Sequence, residues 1–225
     1  MRVDIRHSPS FALARLDLDE GEVARVESGA MAAHSGGLHL DAAMQGGLMK
    51  SLRRSVLGGE SLFVSTYTAP AGGGWVDVAP RLPGDVFSVE VDGTYILTRG
   101  AFLACTATLE LDTKWGGFGN LFGGEGGFLV HMTGTGTLVG SCYGALDRRV
   151  LAPGETITVD SGHLVSYDEG IQISARKAAK GLVRTGKTGE DLVFDVTGPG
   201  EVTTQSRNPD EFVEWIIPLL PFSRS

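Results

Sequence analysis

Apolar and polar residues alternate along most of this chain with a period close to two, the pattern of antiparallel strands with one buried face. The alternation runs through Val23 and Val26, then Leu62 and Val64, with Trp75, Val76 and Val78 behind. It returns at Val86 and Val89, at Phe128, Val130 and Leu138, and at Ile157, Val159, Leu192, Phe194, Val196 and Val202. Three stretches, SLFVSTYTAPAGGGWVDVA, GFLVHMTGTGTLVGSCYG and DLVFDVTGPGEVTTQS, each hold a glycine-rich centre between strand-like runs. They predict hairpins. A sheet with one apolar face has to bury it against a second layer, so a sandwich is expected.

The pattern repeats. LGGES, FGGEG and KTGED carry Gly59 and Glu60, Gly124 and Glu125, and Gly189 and Glu190, with the glutamates 65 residues apart. Before them stand GEVARVE (21–27), GDVFSVE (84–90) and GETITVD (154–160); SGAMAAH, RGAFLAC and SGHLVSY start at Ser28, Arg99 and Ser161. Three marks in one order predict a triplication, with units at about 21–80, 84–150 and 154–206. Units of about 60 residues are small for independent folding. The expected architecture is therefore all-β: three antiparallel β-sandwich units packed as one body with pseudo-threefold organisation, a single domain over 1–207. The glycines and glutamates of the GGE marks read as structural markers of the turns that enter strands.

After the third unit, residues 208–225 predict a short helix and tail. Asn208 fits an N-cap, Pro209 the first helical position, and Glu211 stands three residues beyond the cap. The helix should stop before Pro218. Its apolar residues, Phe212, Val213, Trp215, Ile216, Leu219 and Leu220, call for a surface on the body or on another subunit.

An irregular insertion precedes each GGE-type mark. The first suggests an amphipathic helix from Gly47 to Leu57, with Leu48, Met49, Leu52 and Val56 at helical spacing and Lys50, Arg53 and Arg54 between them. The second places Trp115, Phe118 and Phe122 among glycines, a composition suited to a subunit contact or, alternatively, a small-ligand cleft. The third carries Arg176, Lys177, Lys180, Arg184 and Lys187 without an acid. It is the one patch suited to phosphate or nucleic acid, but it lacks aromatics for base stacking; a solvated or salt-bridged face is the simpler reading.

Composition narrows the functional classes. Among 225 residues, 19 Lys and Arg against 27 Asp and Glu give a net charge of −8, which argues against nucleic acid as a general partner. The 33 glycines lack a three-residue period, and 42% hydrophobic residues argue against disorder. No basic, apolar leader opens the chain and no run is long enough for a spanning helix, so a cytoplasmic location is expected. Cys105 and Cys142 fit buried small hydrophobes. His34, His39 and Asp41 come near one another in sequence without zinc-type spacing. Nucleophile-elbow, Walker and dinucleotide patterns are missing. Hence no catalytic residues, metal or cofactor are expected.

LRRSVLGGESLFVSTYTA, TRGAFLAC, FGGEGGFLVHMTGTGTLV and TGPGEVTTQSR together resemble the tryptophan-RNA-binding-attenuator-like family of unknown function, whose fungal member is named for altered inheritance of mitochondria. The resemblance spans about residues 10–207. It implies three attenuator-like sandwich units and self-association, with a trimer favoured, and it implies no activity. Fold likeness does not transfer tryptophan or RNA binding. The expected function is thus a non-enzymatic oligomeric scaffold or regulatory binding protein, with an as yet unspecified protein partner; the alternatives are a small-ligand sensor or carrier and a weak nucleic-acid binder.

Overall fold

The computed structural model describes residues 1–42, 64–115, 128–177 and 192–221. The chain is mostly strand: β1 (Arg2–Arg6), β2 (Leu13–Leu18), β3 (Val23–Glu27), β4 (Met31–His34), β5 (His39–Ala42), β6 (Val64–Thr68), β7 (Gly74–Val78), β8 (Val86–Thr98) and β9 (Phe102–Thr106). There follow β10 (Glu110–Trp115), β11 (Phe128–Ser141), β12 (Leu146–Leu151), β13 (Thr156–Asp160), β14 (Leu164–Asp168), β15 (Gln172–Lys177), β16 (Leu192–Thr197) and β17 (Gly200–Gln205). One helix, α1 (Pro209–Ile216), closes the described chain. The all-β expectation holds at this level.

Every strand ladder is antiparallel. A long sheet runs β12-β17-β14-β8-β11-β9-β3-β6-β5, with β10 also on β11; β1-β2-β7-β4 and β13-β16-β15 form two shorter sheets. The strands alternate as their sequences require: Ala14, Leu16 and Leu18 of β2 are buried, and so are Leu192, Phe194 and Val196 of β16.

Three clusters of buried residues form the interior. The first joins Leu16 of β2, Val26 of β3, Tyr67 of β6 and Val76 of β7, residues from two sheets, and so forms the inside of a sandwich. The second centres on Leu97, Phe102, Val130, Met132 and Leu138. The third holds Leu164, Phe194, Val196 and Val202. They interlock: Leu103 and Ala104 of β9 belong to the first, Val165 of β14 to the second, and Ile96 of β8 to the third.

The predicted hairpins are not hairpins. β6 pairs with β3 and β5 whereas β7 pairs with β2 and β4; β16 pairs with β13 and β15 whereas β17 pairs with β12 and β14. At TGTG the chain does not turn at all, because β11 runs unbroken through it against β8. There Gly134 pairs with Gly93, and φ values of +129° and +116° let the two-stranded ribbon bend. A glycine-rich centre signals a change of direction, but long-range pairing decides whether the chain folds back or crosses to another layer. The hairpins that do form, β5–β6, β10–β11 and β15–β16, close over the three insertions.

Two further expectations shift. Gly21–Glu27 and Gly154–Asp160 carry β3 and β13, which pair with β6 and β16, but Gly84–Glu90 leads into β8 where it pairs with the far half of β11. That mark is therefore one strand out of step with the other two. The first twenty residues, left outside the expected units, hold β1 and β2. The C-terminal helix forms as expected: the Asn208 side chain accepts from the Asp210 N–H at 2.9 Å, and the α-helix ends at Ile216 before a single 3-10 turn through Pro218. The expected helix at 47–57 lies outside the described residues.

Close backbone approach makes one glycine critical. A Cβ on Gly84 would lie 1.9 Å from the Cys142 carbonyl oxygen, whereas Gly100 has open space around the same position. Gly84→Ala is expected to cost about 1–3 kcal/mol and Gly100→Ala less than about 0.5 kcal/mol, read from urea unfolding midpoints.

Candidate functional site

The aromatic candidates are only partly described. Trp115 ends β10 opposite Phe128, where the second insertion begins, while Phe118 and Phe122 lie outside the described residues. So do Gly59, Glu60, Gly124, Glu125, Gly189 and Glu190. Of the basic candidates, Lys180, Arg184 and Lys187 also lie outside them, and Arg176 and Lys177 end β15. Arg176 is engaged: its Nε donates to Asp195 Oδ2 at 2.7 Å and its Nη2 to Asp195 Oδ1 at 3.0 Å and Thr158 Oγ1 at 3.3 Å. The guanidinium holds the Asp195 carboxyl below its ordinary value. Arg176 is thereby committed to β16 and β13.

Three of the five histidines are also held locally. His34 Nδ1 sits 2.8 Å from the Ser35 carbonyl oxygen and its ring tilts on Tyr67; His39 Nε2 sits 3.1 Å from Asp41; His163 Nδ1 sits 2.7 Å from the Gln205 carbonyl oxygen. Among the described residues no group of three or more His, Cys, Asp or Glu is arranged to hold a metal ion. Cys105 and Cys142 are free and buried, and burial pushes their thiols up to about 12 and about 11. Neither is poised as a nucleophile.

Sequence reasoning missed a charged cluster in the β1-β2-β7-β4 sheet. Asp77 of β7 is only 8% exposed and receives Arg15 Nε at 2.8 Å and Nη2 at 2.9 Å, with Arg6 Nη2 also at 2.9 Å. The Arg15 guanidinium lies 3.9 Å from the centre of the Trp75 ring, a cation–π contact. The Arg15 hydrogen bonds hold the Asp77 carboxyl below its ordinary value against the opposing effect of burial, and Arg6 adds to the lowering. An acid between Val76 and Val78, and an arginine between Ala14 and Leu16, were the signals available. The cluster ties β1, β2 and β7 together and serves the fold.

Among the described residues two buried polar atoms, Arg6 Nε and Thr203 Oγ1, lack a hydrogen-bond partner, and uncovered apolar side chains lie at the periphery. All four residues of β4 are exposed, Met31 by 39%. Helix α1 touches the body through Phe212, whose ring meets Tyr143 edge-on at 5.8 Å, yet Trp215 and Leu219 are each 65% exposed. The helix is thus docked on one side only. Uncovered apolar surface of this kind marks contact sites.

The Mitochondrial biogenesis AIM24 family model matches residues 3–207. The chain belongs to this family. An uncharacterized protein of Streptococcus pyogenes serotype M6 is 31% identical over 232 residues, covering 99% of this chain and 92% of that protein. A crystal structure of a Streptococcus pyogenes protein, 27% identical, superposes with a TM-score of 0.80 over 97% of this chain and 99% of that one. Neither relative's name states an activity. No helix among the described residues is long and apolar enough to cross a membrane.

Two measurements probe this chemistry. Asp77→Asn is expected to cost about 1.5–3 kcal/mol at pH 7. Because the folded carboxyl titrates below the unfolded value of about 3.9, the stabilisation is present above that value and lost as pH falls through the lower folded one, where urea midpoints of wild type and variant should converge. Native protein at pH 8 should leave both thiols unreacted toward an aromatic disulfide reagent, and unfolded protein should expose two.

Proposed function

We propose that this AIM24-family chain is a non-enzymatic, self-associating scaffold built from three attenuator-like sandwich units. The strand ladders support three units. In residues 13–78 the first strand pairs with the sixth (β2·β7), the second with the fifth (β3·β6), the fourth with the fifth (β5·β6) and the third with the sixth (β4·β7). Residues 146–205 follow the same plan: β12·β17, β13·β16, β15·β16 and β14·β17. Residues 86–141 follow it too, with β8 and β11 each serving as two strands end to end and β9 and β10 as the third and fourth. Counted this way, the first and third units start one strand before their GEVARVE-type marks, and the second starts at its own mark, Gly84–Glu90. The pseudo-threefold organisation is then one joint used twice, β3 to β9 and β8 to β14.

The observation that carries the scaffold reading is the contrast between a spent interior and an open periphery: the buried thiols are protonated and the buried acid is saturated by arginines, while β4 and α1 leave apolar side chains exposed. Two free buried thiols suit a reducing compartment, in keeping with a cytoplasmic home. Light scattering on the eluting protein at micromolar concentration should give a multiple of 23.7 kDa, a trimer being favoured. A monodisperse monomer would overturn the proposal.

A further inference from the structure

Within the chain, neighbouring units meet at a single kind of joint. The second strand of one unit pairs with the third strand of the next: Ala24↔Thr106, Arg25↔Cys105 and Val26↔Ala104 between β3 and β9, and Tyr95↔Asp168, Ile96↔Tyr167 and Leu97↔Ser166 between β8 and β14. Each joint has its own polar clasp. Arg25 Nη1 donates to the Leu109 carbonyl at 3.0 Å across the first, and the Tyr95 and Ser166 hydroxyls share a hydrogen bond at 2.9 Å across the second. At the two ends of the molecule one half of this joint is left over. The third strand of the first unit is β4, and the second strand of the third unit is β13; among the described strands each is an edge of its sheet.

We infer that β4 of one molecule pairs antiparallel with β13 of a second copy, repeating head to tail the joint that the chain uses twice within itself. The inference rests on the three-unit reading. Its register follows from the ladders. β4 skips one residue against β7 between Met31 and Ala33, as β9 skips one against β11 between Phe102 and Ala104, and β14 skips one against β17 between Leu164 and Ser166. Ala33, Ala104 and Ser166 therefore correspond. On the other side, Val23 pairs with Thr68 and Thr156 with Thr197, and these threonines also face His39 and Gln172, so Val26 corresponds to Val159. The joint between copies is then Ala33↔Val159, His34↔Thr158 and Ser35↔Ile157.

Burial and charge both point to these edges. In the two internal joints Phe102–Cys105 and Leu164–Tyr167 are buried, yet Met31–His34, at the same positions, are exposed. Ala24 and Tyr95 are buried where Ile157 is only half so, and Ile96 is buried where Thr158 is exposed. Other edge strands are protected by charge: β1 has Arg2, Asp4 and Arg6, β12 has Asp147, Arg148 and Arg149, and β15 has Arg176 and Lys177. Such charges keep sheet edges from pairing. β4 carries none, and the acid of β13, Asp160, falls outside the three paired positions. A head-to-tail interface is heterologous and closes into a ring when its rotation permits, which removes the free edges.

Disulfide trapping tests the pairing. His34→Cys and Thr158→Cys are prepared as separate single variants; both sites are exposed, and the two native thiols are buried. Mixed and mildly oxidised, they should yield a covalent dimer that neither variant forms alone, and the double variant should yield longer covalent multimers. Ala33→Lys, at an exposed site, should weaken association by roughly tenfold or more with an unchanged circular dichroism spectrum and melting midpoint. A dimer formed by His34→Cys alone would mean symmetric pairing and overturn the inference. So would a wild type that assembles while the oxidised mixture forms no covalent dimer and Ala33→Lys assembles normally, an outcome that leaves the scaffold proposal standing. A monomeric wild type overturns both.

Discussion

The ladder between β8 and β11 is the interaction on which the rest of the structure depends. It pairs residues 86–98 with 129–141 without a break, bends at the facing glycines Gly93 and Gly134, and lines the central core with Phe87, Leu97, Val130, Met132 and Leu138. The long sheet grows outward from it. β9 and β10 pair with β11, β14 pairs with β8, and through β9 and β14 the flanking strands β3 and β17 are reached. Because the ladder joins segments more than thirty residues apart, its formation has to overcome loop closure before its contacts return any stability.

This arrangement explains the contrast between interior and ends. In the long sheet β9 and β14 have neighbours on both sides and bury the large side chains Phe102, Leu103 and Tyr167, whereas the edge strand β4 exposes Met31, Ala32 and His34. β4 and β13 each end a shorter sheet and have one neighbour among the described strands. Some of that periphery is closed by charge, as in the Asp77 cluster that fastens β1 to β2 and β7. Elsewhere on that periphery Met31, Trp215 and Leu219 are exposed.

The strands were largely legible, and the reason is local. Alternation in VARVE, TITVD or DLVFDV comes from the pleat itself, which sends successive side chains to opposite faces whatever the partner strand is. The C-terminal helix was legible for a similar reason, since Asn208 and Pro209 act within one turn of chain. The Asp77 cluster was less so. Its members, Arg6, Arg15 and Asp77, are separated by up to 71 residues, and each alone looks like an ordinary surface charge on a strand.

The amino-acid sequence by itself determined the fold class, most strand positions and the family to which the chain belongs, because each depends on side-chain pattern or on order along the chain. Only the tertiary structure decided which strands pair. It turned two of the expected hairpins into crossings between sheets, ran one strand straight through the third, paired the Gly84–Glu90 segment with the far half of β11, and committed Arg176 to Asp195. The physical reason is that backbone hydrogen bonds in a sheet carry no side-chain identity. Partner choice is settled by how complementary apolar faces close a common core, a property of the assembled layers and not of any one strand.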